Sequence, residues 1–179
     1  MMRGPALMFI AWTLHDAEEA LTFPATANQL AELTGIDALR MSTRQSLAAI
    51  GLVGAVVAGA GIRGAQTKGE SPLYRYAVAG LEAHVFTHLL SSAVLRRYTA
   101  GVITAVPIML PGAALARREL AALGRPLTAA DWRGGSALMA AVAAAAHLAV
   151  RTDWSVGFRN RRSRRRPLRG CEASAGAGA

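Results

Sequence analysis

Five apolar stretches crowd the first 150 residues, and too little charge lies between them to coat a soluble fold. They cover residues 5–23, 46–62, about 76–95, 99–116 and 137–150, and the second and fourth contain no charged side chain. Crossing a bilayer as a helix takes roughly 17–25 residues, so each stretch is short or borderline and the Ala-rich fifth is the weakest. One such run suits a buried helix of a soluble protein; five in succession do not. The expectation is an all-α fold, a polytopic transmembrane helical bundle with four to five membrane helices.

Composition points the same way. The chain is 53% hydrophobic and 17% charged, where an ordinary soluble domain carries about 25% charged residues. The net charge of +9 is unevenly spread, with eight of the twenty Lys and Arg residues falling between Arg151 and Arg169. Residues 1–150 are therefore read as the helical membrane domain and 151–179 as a basic tail, expected to be disordered. The single cysteine, Cys171, excludes a disulfide within one chain. No cleavable signal peptide is expected, because acids follow the first apolar run where small residues belong.

The intervening segments read as loops. Residues 24–45 suggest an extramembrane loop with a short amphipathic helix marked by Leu30, Leu33, Ile36, Leu39 and Met41. Residues 63–75 and 117–135 carry the Gly, Pro and Arg content of surface loops. With five spans, twelve cationic residues fall on the side of the C-terminus and eight on the other, which favours a multi-pass cell-membrane protein with a cytoplasmic C-terminus. The partners expected are the lipid bilayer and, for the Arg-rich tail, anionic lipid headgroups; nucleic acid is not expected.

Chemistry concentrates on two helix faces. His15, Glu18 and Glu19 stand at i, i+3 and i+4 and share an arc of roughly 100°, with Asp16 at its edge, facing a headgroup or loop. His84 and His88, again four apart, share a second face. A charged group near a helix centre costs about 2.5–3.5 kcal/mol on insertion scales, so these groups must face the bundle interior, a cavity or the interface. Imidazoles and carboxylates converging from two helices suit a divalent metal, zinc or iron, held by His15, Glu18, Glu19, His84 and His88. Glu18 or Glu19 would then be the catalytic carboxylate, a general base on a bound water. The plainer reading is a buried hydrogen-bonded network that fixes helix packing. A shared ion requires the two faces to meet, since His15 and His88 beyond roughly 10 Å could not both reach it with bonds near 2 Å.

Other residues carry weaker signals. Tyr98, after Arg96 and Arg97, reads as an interfacial anchor. Pro107 and Pro111 predict a kink in the fourth stretch, and His147 reads as a packing residue.

The run His15-Asp16-Ala17-Glu18-Glu19 in the first apolar helix resembles the signature of the HXXEE-domain membrane proteins. A later stretch, from His88 through Arg96-Arg97-Tyr98-Thr99-Ala100-Gly101-Val102-Ile103-Thr104-Ala105, is similar to that family's later helix. The resemblance covers about residues 5–120 and leaves the basic tail outside. Two positions depart from the family pattern: His84 stands where Asn is usual, and Ala100 where Pro is common. The family implies an architecture and the place of a site but no reaction. Membrane CAAX-type proteases share an intramembrane Glu-Glu, but they place Arg where this chain has Phe23. Lipid-modifying oxidases use more histidines than His15, His84, His88 and His147. Two readings stand: a metal-dependent membrane enzyme of hydrolase or oxidase type, and a non-catalytic membrane protein whose His/Glu network serves packing or ion or proton passage.

Overall fold

The computed structural model describes residues 2–163, and among them every regular element is helical. Helix α1 covers Gly4–Thr34, α2 Thr43–Gln66 and α3 Pro72–Leu95, with a 3-10 turn at Asp37–Leu39 between the first two. The fourth pass is composite: α4 (Val102–Thr104), a π-helical turn (Ala105–Met109) and α5 (Leu110–Ala122). Helix α6 spans Ala129–Ser163.

Local chemistry sets the boundaries. Ser42 and Gln45 form a reciprocal capping box at the start of α2, satisfying two otherwise orphaned donors. Ser71 caps α3, with Pro72 in the first turn where its missing N–H costs nothing. Gly35 ends α1 in the left-handed conformation. Pro107 lies in the π turn and Pro111 opens α5, so the expected disturbance of the fourth stretch takes the form of a π turn.

The loops are shorter than the sequence suggests. Helix α1 runs through Pro24 to Thr34, covering half of the segment read as extramembrane. Tertiary contact outweighs the broken hydrogen bond: Ala27 packs with Met41 and Ala49, and Asn28 Oδ1 accepts from the Met41 amide at 3.2 Å. Of residues 117–135, only the link from Leu123 to Thr128 is not helical. Helix α6 continues past Arg151, and the rest of the basic tail, from residue 164, lies outside the described residues.

Five passes alternate in direction. The start of α1 meets the end of α5, where Glu119 accepts from the Arg3 and Gly4 amides at 2.8 and 2.6 Å. The start of α3 joins the start of α6 through Arg75 and Asp131. At the far end, Gln45 of α2 reaches the Val150 carbonyl of α6. Helices α3 and α6 approach closely because Gly80 and Gly135 face each other, and a Cβ on Gly80 would stand 2.6 Å from the Gly135 carbonyl oxygen. Met8, Trp12, Val57, Tyr74, Leu81 and Met109 form the centre of the apolar core.

Among the described residues, three helices are long and apolar enough to cross a membrane: α2, α3 and residues 129–151 of α6. That is fewer than the four to five expected. Every eighteen-residue window of α1 carries at least three acids, and the fourth pass is divided by its π turn.

Candidate metal centre

The two polar faces meet beneath the turn between α3 and α4. One ligand atom from each of His15, Glu19, His84 and His88 lies within 4.8 Å of the others. The Nε2 atoms of His15 and His88 are 3.1 Å apart, well inside the limit a shared ion imposes. Glu19 Oε1 stands 3.8 Å from His88 Nε2, and the rings of His84 and His88 cross edge to face at 4.4 Å. His15 is fully buried and His88 nearly so.

Glu18 is turned elsewhere. Its carboxylate accepts from Tyr98 Oη at 2.5 Å, the Thr104 amide at 2.8 Å, Thr104 Oγ1 at 2.6 Å and, more weakly, the Ile103 amide at 3.4 Å. It thereby caps α4, whose first amides lack partners of their own. Of the five residues read as ligands, four come together; Glu18 reaches the cluster only through Thr104, whose Oγ1 is 2.9 Å from His15 Nδ1.

The surrounding partners fix where the protons sit. His88 Nδ1 is 2.9 Å from the Ala100 carbonyl, which can only accept, so that nitrogen carries a proton. Thr104 gives its hydroxyl proton to Glu18, so His15 Nδ1 must donate to Thr104. The Thr87 hydroxyl lies 2.7 Å from the His84 carbonyl and 3.0 Å from His84 Nδ1 and can donate to either. In the neutral rings of His15 and His88, each imidazole then spends its one proton on Nδ1 and leaves Nε2 as a bare lone pair. Outer hydrogen bonds that fix a tautomer in this way are the usual support of metal-ligating histidines.

A single turn holds the geometry. The Ala100 amide donates to Thr26 Oγ1 at 3.0 Å, and Ser92 and Thr99 hydroxyls meet at 2.7 Å, so residues 99–101 are fastened to α1 and α3. Gly101 has φ +82°, and a Cβ there would stand 2.6 Å from His88 Cε1 and 2.8 Å from His15 Cε1. Only glycine fits on both counts. Tyr98, expected as a membrane anchor, is instead a donor to Glu18 and Thr22. Partial burial, and behind it the bond to Glu18, raises its phenol above the ordinary range.

Asp16 is the other residue the sequence misplaces. It is buried rather than edge-facing and lines a cavity of about 380 Å³ with Glu19 and His84. A second cavity, about 550 Å³, touches Glu19, His84 and His88. His147 lines both cavities and stacks on Phe23 with centroids 5.3 Å apart; it is not part of the cluster.

A helical bundle with an inward-facing His/Glu cluster between two largely apolar cavities defines the class of protein. The sequence profile of the proteins of unknown function with an HXXEE motif matches residues 6–116, and the chain belongs to that family. His15, Glu18 and Glu19 are the residues of its motif. Comparison with curated proteins and with solved structures gives no match.

Proposed function

We propose that this chain is an integral membrane protein that binds a divalent metal at His15, Glu19, His84 and His88 and acts as a metal-dependent membrane enzyme of hydrolase type. The observation that carries the metal is the set of bare Nε2 lone pairs. Two such lone pairs repel at 3.1 Å, whereas two nitrogens on one tetrahedral zinc stand about 3.3 Å apart, given bonds of 2.0–2.1 Å. Three imidazoles and one carboxylate suit zinc first and iron second.

Four protein ligands would fill a tetrahedral zinc, so catalysis would need an open fifth position, where the pKa of a bound water would fall toward neutrality. Glu19 borders both cavities, so that open position would face them. Glu18 borders neither and positions His15 through Thr104. Hydrolysis needs only water as co-reactant, and the apolar cavities suit a substrate with a hydrocarbon portion.

Membrane insertion rests on the outer surface. Phe86, Leu90 and Val94 of α3 and Leu47, Leu52 and Ile62 of α2 are exposed, an apolar area that calls for lipid or a partner. Helix α1 exposes Ile10, Leu14 and Leu21 while burying His15 and Asp16. His15 and Asp16 point inward, so we place it in the bilayer too, although hydropathy averaged around the helix does not select it. The multi-pass chain sits in the cell membrane with its C-terminus cytoplasmic and the Arg-rich tail on anionic headgroups.

A second reading is favoured by one observation. Glu18, Thr104, His15, His88 and Glu19 form an unbroken polar chain, which a proton between the two Nε2 atoms would turn into a relay. Metal analysis of detergent-purified protein separates the two. One zinc or iron per chain, lost in both His88→Ala and Glu19→Gln, is the expected result. Folded wild-type protein that holds no metal and takes up none when zinc or iron is added would leave the relay reading.

A further inference from the structure

The larger cavity holds a cation that the metal centre does not use. It is a groove among α1, α3 and α6, and among the described residues lining it Arg151 is the one Lys or Arg. Arg151 is half-buried, and its Nε is buried without a hydrogen-bond partner. Among the described residues it forms no ion pair. Helix geometry places this cation away from the His/Glu cluster. Gly4 lies against Tyr74 and Arg75 binds Asp131, so α1, α3 and α6 start together. Phe23 of α1 stacks on His147 of α6. Glu19 stands one turn before Phe23, and Arg151 stands one turn after His147. At 1.5 Å per residue, their levels differ by about 12 Å along the bundle. Phe23, Ala27, Leu30, Met41, Leu95 and Leu148 give the groove its apolar walls, and Met41 packs with Ala27 and Val150 at the Arg151 end.

A guanidinium at one end of an apolar groove describes the complement of an anionic head on a hydrocarbon chain. We infer that this groove binds a single-chain fatty carboxylate, its head on Arg151 and its chain running toward the metal centre. The planar fork of Arg matches a carboxylate with two parallel hydrogen bonds. One guanidinium balances one negative charge, whereas a phosphate monoester brings nearly two. An alcohol supplies no charge, and an amine meets Arg151 with like charge. An Arg that served only to reach lipid headgroups would keep its fork in water and would not bury an unpaired Nε. Arg151 also ends the apolar run of α6, the level at which the head of an amphiphile rests in a bilayer. Ser91, Ala144 and Leu148 are exposed along the groove, so a chain can enter from the side. At about 550 Å³ the space is within the range of small-ligand sites and suits one chain. The inference goes beyond the metal reading and does not rest on a bound ion.

The test is equilibrium dialysis of the full chain in phosphatidylcholine nanodiscs against radiolabelled decanoate, with empty nanodiscs subtracted and metal content measured on the same samples. Wild-type protein should bind decanoate saturably, and about tenfold or more tighter than decanol or decylamine. Arg151→Gln should abolish the preference for the carboxylate. Ala144→Phe, which fills the groove from an exposed position of α6, should remove the site and serves as the second variant where Arg151→Gln does not fold. Both variants should keep the metal content of wild type. Absence of saturable binding, equal binding of decanol, or a carboxylate preference untouched by Arg151→Gln or Ala144→Phe would overturn the proposal. Tighter binding of decyl phosphate than of decanoate would overturn the assignment of the head. Decanoate binding by wild-type protein that takes up no metal would overturn the metal reading alone, and bound metal without carboxylate selectivity would overturn this inference alone.

Discussion

The end of the bundle where α1, α3 and α6 begin and the cluster beneath the α3–α4 turn treat charge in opposite ways. At the end, each acid has a fixed partner. Arg75 binds Asp131 through both carboxylate oxygens, at 3.1 and 2.6 Å, and also donates to the Arg125 and Pro126 carbonyls. Arg125 pairs with Glu70 and reaches the Lys68 carbonyl, and Glu119 caps α1. At the cluster, Asp16, Glu18 and Glu19 fall within four residues, and among the described residues none forms an ion pair with Lys or Arg. The first region is complete as folded and reads as a clasp between helix ends. The second has gathered carboxyl and imidazole groups that could hold a cation.

The comparison is broken most directly at the clasp. Asp131→Ala leaves the Arg75 guanidinium largely buried, its side chain 15% exposed, without its countercharge. Removing one partner of such a pair costs about 3–5 kcal/mol. Chemical denaturation of the detergent-purified variant should show that loss, while metal content per folded chain stays at the wild-type value. A loss under about 1 kcal/mol would put the pair with ordinary surface bridges.

Gly101→Ala should act on both stability and site. A non-glycine residue in the left-handed region costs about 1–3 kcal/mol, and here the added methyl also meets both imidazoles. Gly124 provides the control, with φ +73° and nothing within 4 Å of its Cβ position. Gly124→Ala should share the backbone penalty and leave metal content alone; Gly101→Ala should lower it. Equal metal content in the two variants would mean that the turn does not hold the rings.

Thr104→Val separates ligand from support. The shape is kept, but His15 Nδ1 loses its acceptor and Glu18 loses one of its donors. Loss of an outer hydrogen bond of this kind lowers metal affinity about 10–100-fold, and Thr104→Ser should restore it. Competition with a chelator of known affinity reads the change. Stability should fall by only about 1 kcal/mol.

The sequence exposes the candidate ligands and hides the scaffold for a physical reason. His15, Glu19, His84 and His88 are legible because four-residue spacing puts them on helix faces, and ionisable groups in apolar helices must find one another. Glu18 shares the face of Glu19 by the same arithmetic, yet it is drawn to the free amides of α4, because a break in the fourth apolar stretch cannot be read from spacing. Tyr98 looks like an interfacial anchor because the sequence beside it holds two arginines; its true partner is eighty residues away. Pro24 marks a loop by local propensity, and packing of Ala27 against Met41 overrides it. Asp16 is misjudged by the opposite error. A position at the edge of one helix's polar arc still lies inside the bundle once α2 and α6 close over it.

The smallest expected effect tests how far the support extends. Tyr98→Phe removes the donor 2.5 Å from Glu18 Oε1. Tyr98 is 42% exposed, so water can replace the lost hydrogen bond and the stability change should stay under about 1 kcal/mol. Glu18 keeps the Thr104 amide and hydroxyl on its other oxygen, so the path to His15 is intact and metal affinity should change by less than about threefold, below the effect of second-sphere loss. The pair of variants thus locates the boundary of the site. If Tyr98→Phe weakened the metal as much as Thr104→Val, Glu18 would have to act as one rigid unit with its whole cap, and the start of α4 would belong to the centre rather than to the frame around it.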